Sequence, residues 1–379
     1  MHARNPRLPA IDGLRGASVL LVMASHLLGD AGYHWVPGGL GVMVFFVISG
    51  FVITRMLLTQ AAQGPIALGP FYLRRFFRLT PALLVYVLTC DLLLQVCGVE
   101  LPWSAIGAAL FYYANYFNLF APTVVLGPDA IVSPLAVVWS LAVEEHFYLV
   151  FPLVLLALLH KPRRLEQALL GFMVASLLWR CVLVFGIGLE QMPNDRIFMA
   201  SDTRLDSIAF GCWLGAAMHR AQRPGEARVK RLVDALGQPA MVAAGLVLLF
   251  VTLVVRQEAW RETLRYSLQG VALLPLMCAL ATRGRPLGGL RALLESRPML
   301  FFGAISYSLY LYHFLAITLA NLLWPGVSPW LRLSMAAALG LGMAVLSYLL
   351  IETPLRRSGA RWADELQRRR QGGLPHAAT

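Results

Sequence analysis

Ten blocks of apolar residues recur along this chain of 379 residues and dominate what it can fold into. They fall at about 10–29, 38–58, 79–98, 139–159, 166–188, 204–221, 239–256, 265–282, 298–322 and 330–351. At 1.5 Å of rise per residue, a helix of about 20 residues crosses a hydrocarbon layer ~30 Å thick. Hydrocarbon offers no partner to backbone N–H and C=O groups, so each block must satisfy its own backbone as a helix. Charged residues are only 14% of the chain and apolar ones 58%, where a soluble domain carries about 25% charged residues. The expectation is an all-α polytopic integral membrane protein of about ten transmembrane helices.

The distribution of Lys and Arg predicts its orientation. The N-terminus, the even-numbered loops and the C-terminus carry 25 of the 32 basic residues, among them Arg4, Arg7, Arg74, Lys161, Arg228, Arg283, Arg285 and Arg356. The opposite side has six: Arg196, Arg204, Arg256, Arg261, Arg265 and Arg332. Basic loops stay in the cytoplasm, so both termini are expected there. A net charge of +12 in a soluble protein would suggest nucleic acid; in short loops between apolar blocks it does not.

Residues 104–120 are also apolar, but a crossing there would invert every later loop. They read instead as an interfacial or re-entrant helix whose aromatic residues suit the headgroup boundary. The five cysteines lie in apolar stretches without metal-ligand spacing, so no metal is expected and they serve as small hydrophobes. Residues 1–357 make up the membrane domain, and 358–379 a basic cytoplasmic tail, expected to be flexible.

Ionisable groups inside spans are costly and are candidates for function. The first span holds Asp12, Arg15 and His26. Arg15 and His26, 11 residues apart, share a helical face and are separated by roughly 16 Å along the axis. Asp12, three residues from Arg15, can pair with it. Counting inward from the outer surface puts Glu144, Glu145, Arg180 and His313 near the depth of His26. Arg75 and Arg78 share one face at the start of the third span, where guanidinium forks suit phosphates. Two polar layers are thus expected: arginines toward the cytoplasm, imidazoles and carboxylates toward the outside. An extended molecule with a phosphorylated head and a reactive far end, such as coenzyme A, fits that separation. The plain alternative is a set of ion pairs that glue helices together.

At these residues a family resemblance emerges. The stretch Leu8 to Gly16 with His26 beyond it, the stretch Gly41 to Phe51, the Arg75-x-x-Arg78 pair with Pro81, Trp139 to Tyr148, Ser306 to His313, and Ile351-Glu352-Thr353-Pro354 occur in order. Together they resemble the acyltransferase 3 family of membrane O-acyltransferases. The resemblance implies ten membrane helices, an acyl-CoA donor, usually acetyl-CoA, and O-acylation of a carbohydrate or related acceptor. It implies functional roles for Arg15, His26, Arg75 and Arg78. The fused extracytoplasmic hydrolase-like domain of some members is not expected here.

The expected chemistry places acyl-CoA phosphates on Arg15, Arg75 and Arg78 from the cytoplasmic side of a bacterial inner membrane. His26 acts as general base on a hydroxyl of a cell-surface or lipid-linked glycan, or as the site of an acyl-histidine intermediate. Glu144 or Glu145 orients it, and Asp12, Arg180 and His313 give support or bind the acceptor. A macrolide-like metabolite or a lipid is the alternative acceptor. A proton-coupled transporter, which would also bury His, Glu and Arg, is the alternative from another class.

Overall fold

The protein, described as a computed structural model, is resolved into described residues 8–120, 125–126, 131–282 and 287–372. Arg4, Arg7, Arg283, Arg285 and the end of the tail from 373 onward lie outside the described residues.

Every apolar block of the sequence is a helix. The chain opens with α1 (Pro9–Asp30), α2 (Gly38–Ala61) and α3 (Leu68–Val96). Short helices α4 (Trp103–Leu110) and α5 (Ala114–Phe120) follow, then α6 (Trp139–Leu158) and α7 (Pro162–Cys181), which ends in π turns over Val182–Ile187. A one-turn α8 (Arg196–Met199) leads into α9 (Ser201–Arg220), α10 (Ala227–Leu236) and α11 (Pro239–Val254). The remainder is α12 (Glu258–Glu262), α13 (Leu264–Ala281), α14 (Gly288–Leu294), α15 (Arg297–Leu323), α16 (Pro329–Ser347) and α17 (Thr353–Gly372). Val125–Leu126 and Ile131–Val132 form a two-residue antiparallel ladder.

Among the described residues, eight helices are long and apolar enough to cross a membrane, and α10 with α11, bent by 60°, makes a ninth. The tenth expected span, α9, has the length of 20 residues but carries Asp202, Arg204 and Asp206 in its first two turns. It tolerates them because it is not lipid-facing: α2, α7 and α13 pack around it, and Arg204 and Asp206 are both 0% exposed. Charges in a membrane protein face the bundle interior. With α9 wrapped by its neighbours, the chain is a polytopic all-α membrane protein.

Helix contact in such a bundle depends on small residues that let backbones approach. Two contacts set the frame of the site. Gly16 of α1 meets Gly303 of α15, and a Cβ on Gly16 would lie 2.3 Å from the Met299 carbonyl oxygen. Gly50 of α2 meets α9, and a Cβ there would lie 1.9 Å from the Ile208 carbonyl oxygen. The first contact locks together the helices that carry His26 and His313; the second holds Ser49 beside α6.

Two segments gain detail. Residues 104–120 are not one helix: α4 ends at Leu110, Tyr112 takes a left-handed φ of 56°, and α5 restarts at Ala114. Eight residues span only about 12 Å, so this segment does not cross. The tail from 358 is helical as far as Gly372, as part of α17. A π turn at Tyr348–Glu352 joins α16 to α17 without a break. The helix α17 then packs on α3, where Trp362 meets Phe77 edge-on with ring centres 5.1 Å apart and Arg74 pairs with Asp364 at 3.0 Å. Ala363 is buried against the bundle, while Arg357, Arg361, Arg368 and Arg369 are exposed.

Candidate active site

The arginine layer is built by five helices. Helical spacing puts Ser140, Glu144 and Tyr148 on one face of α6, four residues apart. Arg75 and Arg78 present from α3, Arg15 from α1, Ser49 from α2, and Ser306, Tyr307 and Tyr310 from α15, all lining one cavity of about 120 Å³. The Arg75 guanidinium carbon lies over the Tyr148 ring, 3.0 Å from its centre. Its Nε donates to Glu145 at 3.1 Å, and its terminal nitrogen is 3.6 Å from Glu144. Glu144 also accepts from Ser49 at 2.9 Å and from Tyr148 at 3.3 Å. Stacking and forked pairing are what a planar guanidinium does and an ammonium cannot.

Both carboxylates are therefore engaged by Arg75. The expected alignment of Glu144 and Glu145 with His26 is not what the geometry gives: they belong to the arginine layer. The helix α3 begins at Leu68, 11 residues before the apolar block that marks it in the sequence, so Arg75 and Arg78 lie well inside the bundle. Among the described residues, neither Arg15 nor Arg78 forms an ion pair with a carboxylate of the cavity lining, and Asp12 lies at the exposed start of α1. Glu352, buried in the π turn after α16, lies within electrostatic range of both arginines and accepts from Ser308 at 3.0 Å. The layer keeps an excess of positive charge facing its cavity.

The imidazole layer is a pair. His26 Nδ1 and His313 Nε2 are 2.8 Å apart, and the rings are stacked with a tilt of 19°. His313 Nδ1 faces the Leu309 carbonyl oxygen at 3.1 Å. A carbonyl only accepts, so His313 Nδ1 carries hydrogen and, in the neutral ring, its Nε2 is an acceptor. The hydrogen between the rings must then belong to His26 Nδ1, which leaves the lone pair on His26 Nε2. His313 is 1% exposed, whereas His26 is half-buried and lines a second cavity of about 660 Å³ with Asp30, His34, Asn321 and Arg332.

Between the layers stands Tyr310. Its hydroxyl pairs with Ser140 at 2.7 Å and donates to the Val137 carbonyl at 3.1 Å. Its ring lines the arginine cavity on one side and lies 5.8 Å from the His313 ring on the other. Ser306, Tyr310 and His313 fall at the four- and three-residue steps of one helical face, so α15 is a continuous polar stripe from one layer to the next.

Arg180 lies elsewhere. It is 0% exposed, and four of its five N–H groups are engaged: it donates to Asp206 at 2.8 Å, to Ser267 at 2.6 Å, and to the carbonyls of Thr203 at 2.6 Å and Thr263 at 3.2 Å. This tie between α7, α9 and α13 occupies the buried guanidinium with protein partners. No cluster of three or more metal-ligating side chains occurs among the described residues. Ser49, Tyr148, Tyr310 and Glu352 join the site without having been singled out; their signal lay in spacing, four residues from Glu144 for Tyr148 and three from His313 for Tyr310.

Comparison with known proteins settles the family. A family model described as an acyltransferase domain, that of acyltransferase 3, matches residues 8–352. The chain belongs to the acyltransferase 3 family. Among its relatives, the peptidoglycan O-acetyltransferase OatA of Listeria monocytogenes is 31% identical over 364 residues, covering 93% of this chain and 56% of the relative. The O-acetyltransferase OatA of Staphylococcus aureus is 34% identical over 374 residues, covering 94% of this chain and 58% of the relative. The chain thus spans a little over half the length of the curated relatives it matches. No solved structure matches it. In this acyltransferase 3 domain, the motif stretches carry both layers: Arg15 and His26 from the first, Ser49 from the second, Arg75 and Arg78 from the third, Glu144 and Tyr148 from the fourth, Tyr310 and His313 from the fifth, Glu352 from the last.

Proposed function

We propose that this protein moves an acetyl group from acetyl-CoA, entering from the cytoplasmic side, onto a hydroxyl of a cell-surface glycan at the outer face of a bacterial inner membrane. The observation that carries this reading is the hydrogen-bond order Leu309 carbonyl, His313, His26, which fixes a free Nε2 lone pair on an imidazole that lines a solvent-sized cavity. A nucleophile or base held by a second group that is itself oriented by a third is the usual grammar of acyl transfer. The names of the relatives favour an O-acetyl product and a glycan acceptor.

In the proposed reaction, Arg15, Arg75 and Arg78 hold the phosphates of the donor, which displaces part of the pairing between Arg75 and the two glutamates. The pantetheine arm runs along the α15 stripe past Tyr310 and brings the thioester toward His26. The acceptor oxygen attacks the thioester carbonyl as its proton passes to His26 Nε2. The imidazolium that forms keeps its Nδ1–H on His313 Nε2, a bond that strengthens as charge develops. The carbon–sulfur bond then breaks, and the proton on Nε2 passes to the departing sulfur, leaving ester and free coenzyme A.

The test is acetyl transfer by purified protein in vesicles with radiolabelled acetyl-CoA. Loss of a general base costs about 10²- to 10⁴-fold, and His26→Ala is expected to fall by that much while still binding coenzyme A. Near wild-type turnover by folded His26→Ala would remove His26 from the chemistry.

A further inference from the structure

A cavity of about 620 Å³ adjoins the His26 cavity, and the two share Ser25 and His34 in their walls. The loop after α11, the short α12 and the first turn of α13 bring Arg256, Arg261 and Arg265 to its lining, with Glu262 and Asp195 as the acidic groups there. Arg265 lies 3.7 Å from Glu262 and donates to the Tyr266 hydroxyl at 2.8 Å, but its buried Nε has no partner. Arg256 and Arg261 have no ion pair among the described residues.

Behind this wall sits a further cation. Arg204 is 0% exposed, and none of its three guanidinium nitrogens has a hydrogen-bond partner. Its guanidinium stands 4.0 Å from the centre of the Tyr266 ring, and that of Arg265 stands 4.8 Å from the same ring. Tyr266 lines the cavity, so the charge of Arg204 acts through one aromatic ring in a region of low dielectric, where it is screened little. Burial pushes the Glu262 and Asp195 carboxyls above their usual range, which weakens the only negative charge on the lining. A buried arginine without an acceptor is costly and calls for an explanation; a fixed positive field under a binding groove supplies one.

We infer that this groove is a binding site for the anionic flank of the acceptor glycan, with carboxylate groups on Arg256 and Arg261 and the neighbouring sugar carried past Ser25 to His26. The inference rests on the reading of a glycan acceptor given above and adds where the chain lies and which charge it bears. The groove and the His26 cavity share the Ser25 and His34 walls, so a strand longer than one sugar would pass from one to the other there. Trp35 at the rim is 68% exposed and offers an aromatic face to a sugar ring. The His26 cavity adds the amide of Asn321 and the pair of Asp30 with Arg332, groups that suit hydroxyls. An apolar acyl tail would find little of this useful.

The experiment measures direct binding, with no donor present, to the full chain in phosphatidylcholine vesicles. The probes are a neutral tetramer of N-acetylglucosamine and its O-carboxymethylated form. Wild type is expected to bind the carboxymethylated tetramer about tenfold more tightly, the effect of one good charge-assisted contact. Arg256→Gln combined with Arg261→Gln should bring the ratio near one, and Arg256→Lys with Arg261→Lys should keep most of it. Equal binding of both tetramers by wild type, or selectivity that survives the double Gln variant, overturns the inference. Selectivity that disappears only when phosphatidylglycerol is added assigns the arginines to lipid headgroups and also overturns it. Selective binding followed by no acetyl transfer to either tetramer once acetyl-CoA is added would sink the catalytic reading while leaving the groove in place.

Discussion

Replacing His313 by Leu tests the division of labour between the two imidazoles. The residue is buried among α1, α15 and α16, so Leu keeps most of the packing while removing the donor to the Leu309 carbonyl and the acceptor that holds His26 Nδ1–H at 2.8 Å. In the resting enzyme that bond is neutral and worth about 1 kcal/mol; once His26 carries the substrate proton it is charge-assisted and worth about 1.5–3 kcal/mol. The difference falls on the transition state, and the lost tautomer preference adds about 1 kcal/mol, because part of the His26 population then presents N–H instead of the lone pair at Nε2. Together these give about 1.5–3 kcal/mol, or a roughly 10- to 150-fold fall in kcat. The KM for acetyl-CoA should hold, since His313 does not line the arginine cavity. His313→Gln can accept from His26 and donate to Leu309, so it should recover about tenfold of the loss. Steady-state kinetics on protein of wild-type thermal stability decides the matter. A kcat within twofold of wild type for His313→Leu, or a raised KM with an unchanged kcat, would refute the orienting role.

Arg75→Ala combined with Arg78→Ala should weaken coenzyme A binding by two to three orders of magnitude, about 3–4 kcal/mol for two charge-assisted phosphate contacts; isothermal titration of wild type and variant checks it, and equal affinities would return these arginines to a purely structural role. Asp206→Asn leaves Arg180 buried without its counter-charge, a change that costs about 3–5 kcal/mol. It should lower the thermal midpoint in detergent while specific activity of the folded fraction holds, and an unchanged midpoint would contradict the buried pairing. Gly50→Leu drives a side chain into the α9 backbone at Ile208; the clash has no flexible partner to absorb it, so loss of folded protein by size-exclusion chromatography is the expected result.

The membrane blocks were readable because hydrocarbon imposes one rule on all of them: length and apolarity, with the backbone paired inside each helix. Even α9 could be counted, although its Asp202, Arg204 and Asp206 make it the least apolar of the ten, since its spacing between basic loops left room for one crossing. Depth was less readable. Counting residues from an assumed surface grouped Glu144 and Glu145 with His26 by depth, but a count along one helix does not tell which cation a carboxylate meets. The helix α3 starts earlier, at Leu68, and carries Arg75 inward to meet both carboxylates. The partner of His26 had the opposite fate. His313 was a candidate from its position alone, yet nothing in the pattern told of a ring-to-ring hydrogen bond, because that depends on Gly16 and Gly303 bringing α1 and α15 together across nearly 300 residues of chain. Local pattern reveals which side chains can pay the cost of burial only by finding a partner; which partner they find is set by where small residues let two backbones meet. In this bundle that makes Gly16 and Gly303 as necessary to the proposed chemistry as the imidazoles they align.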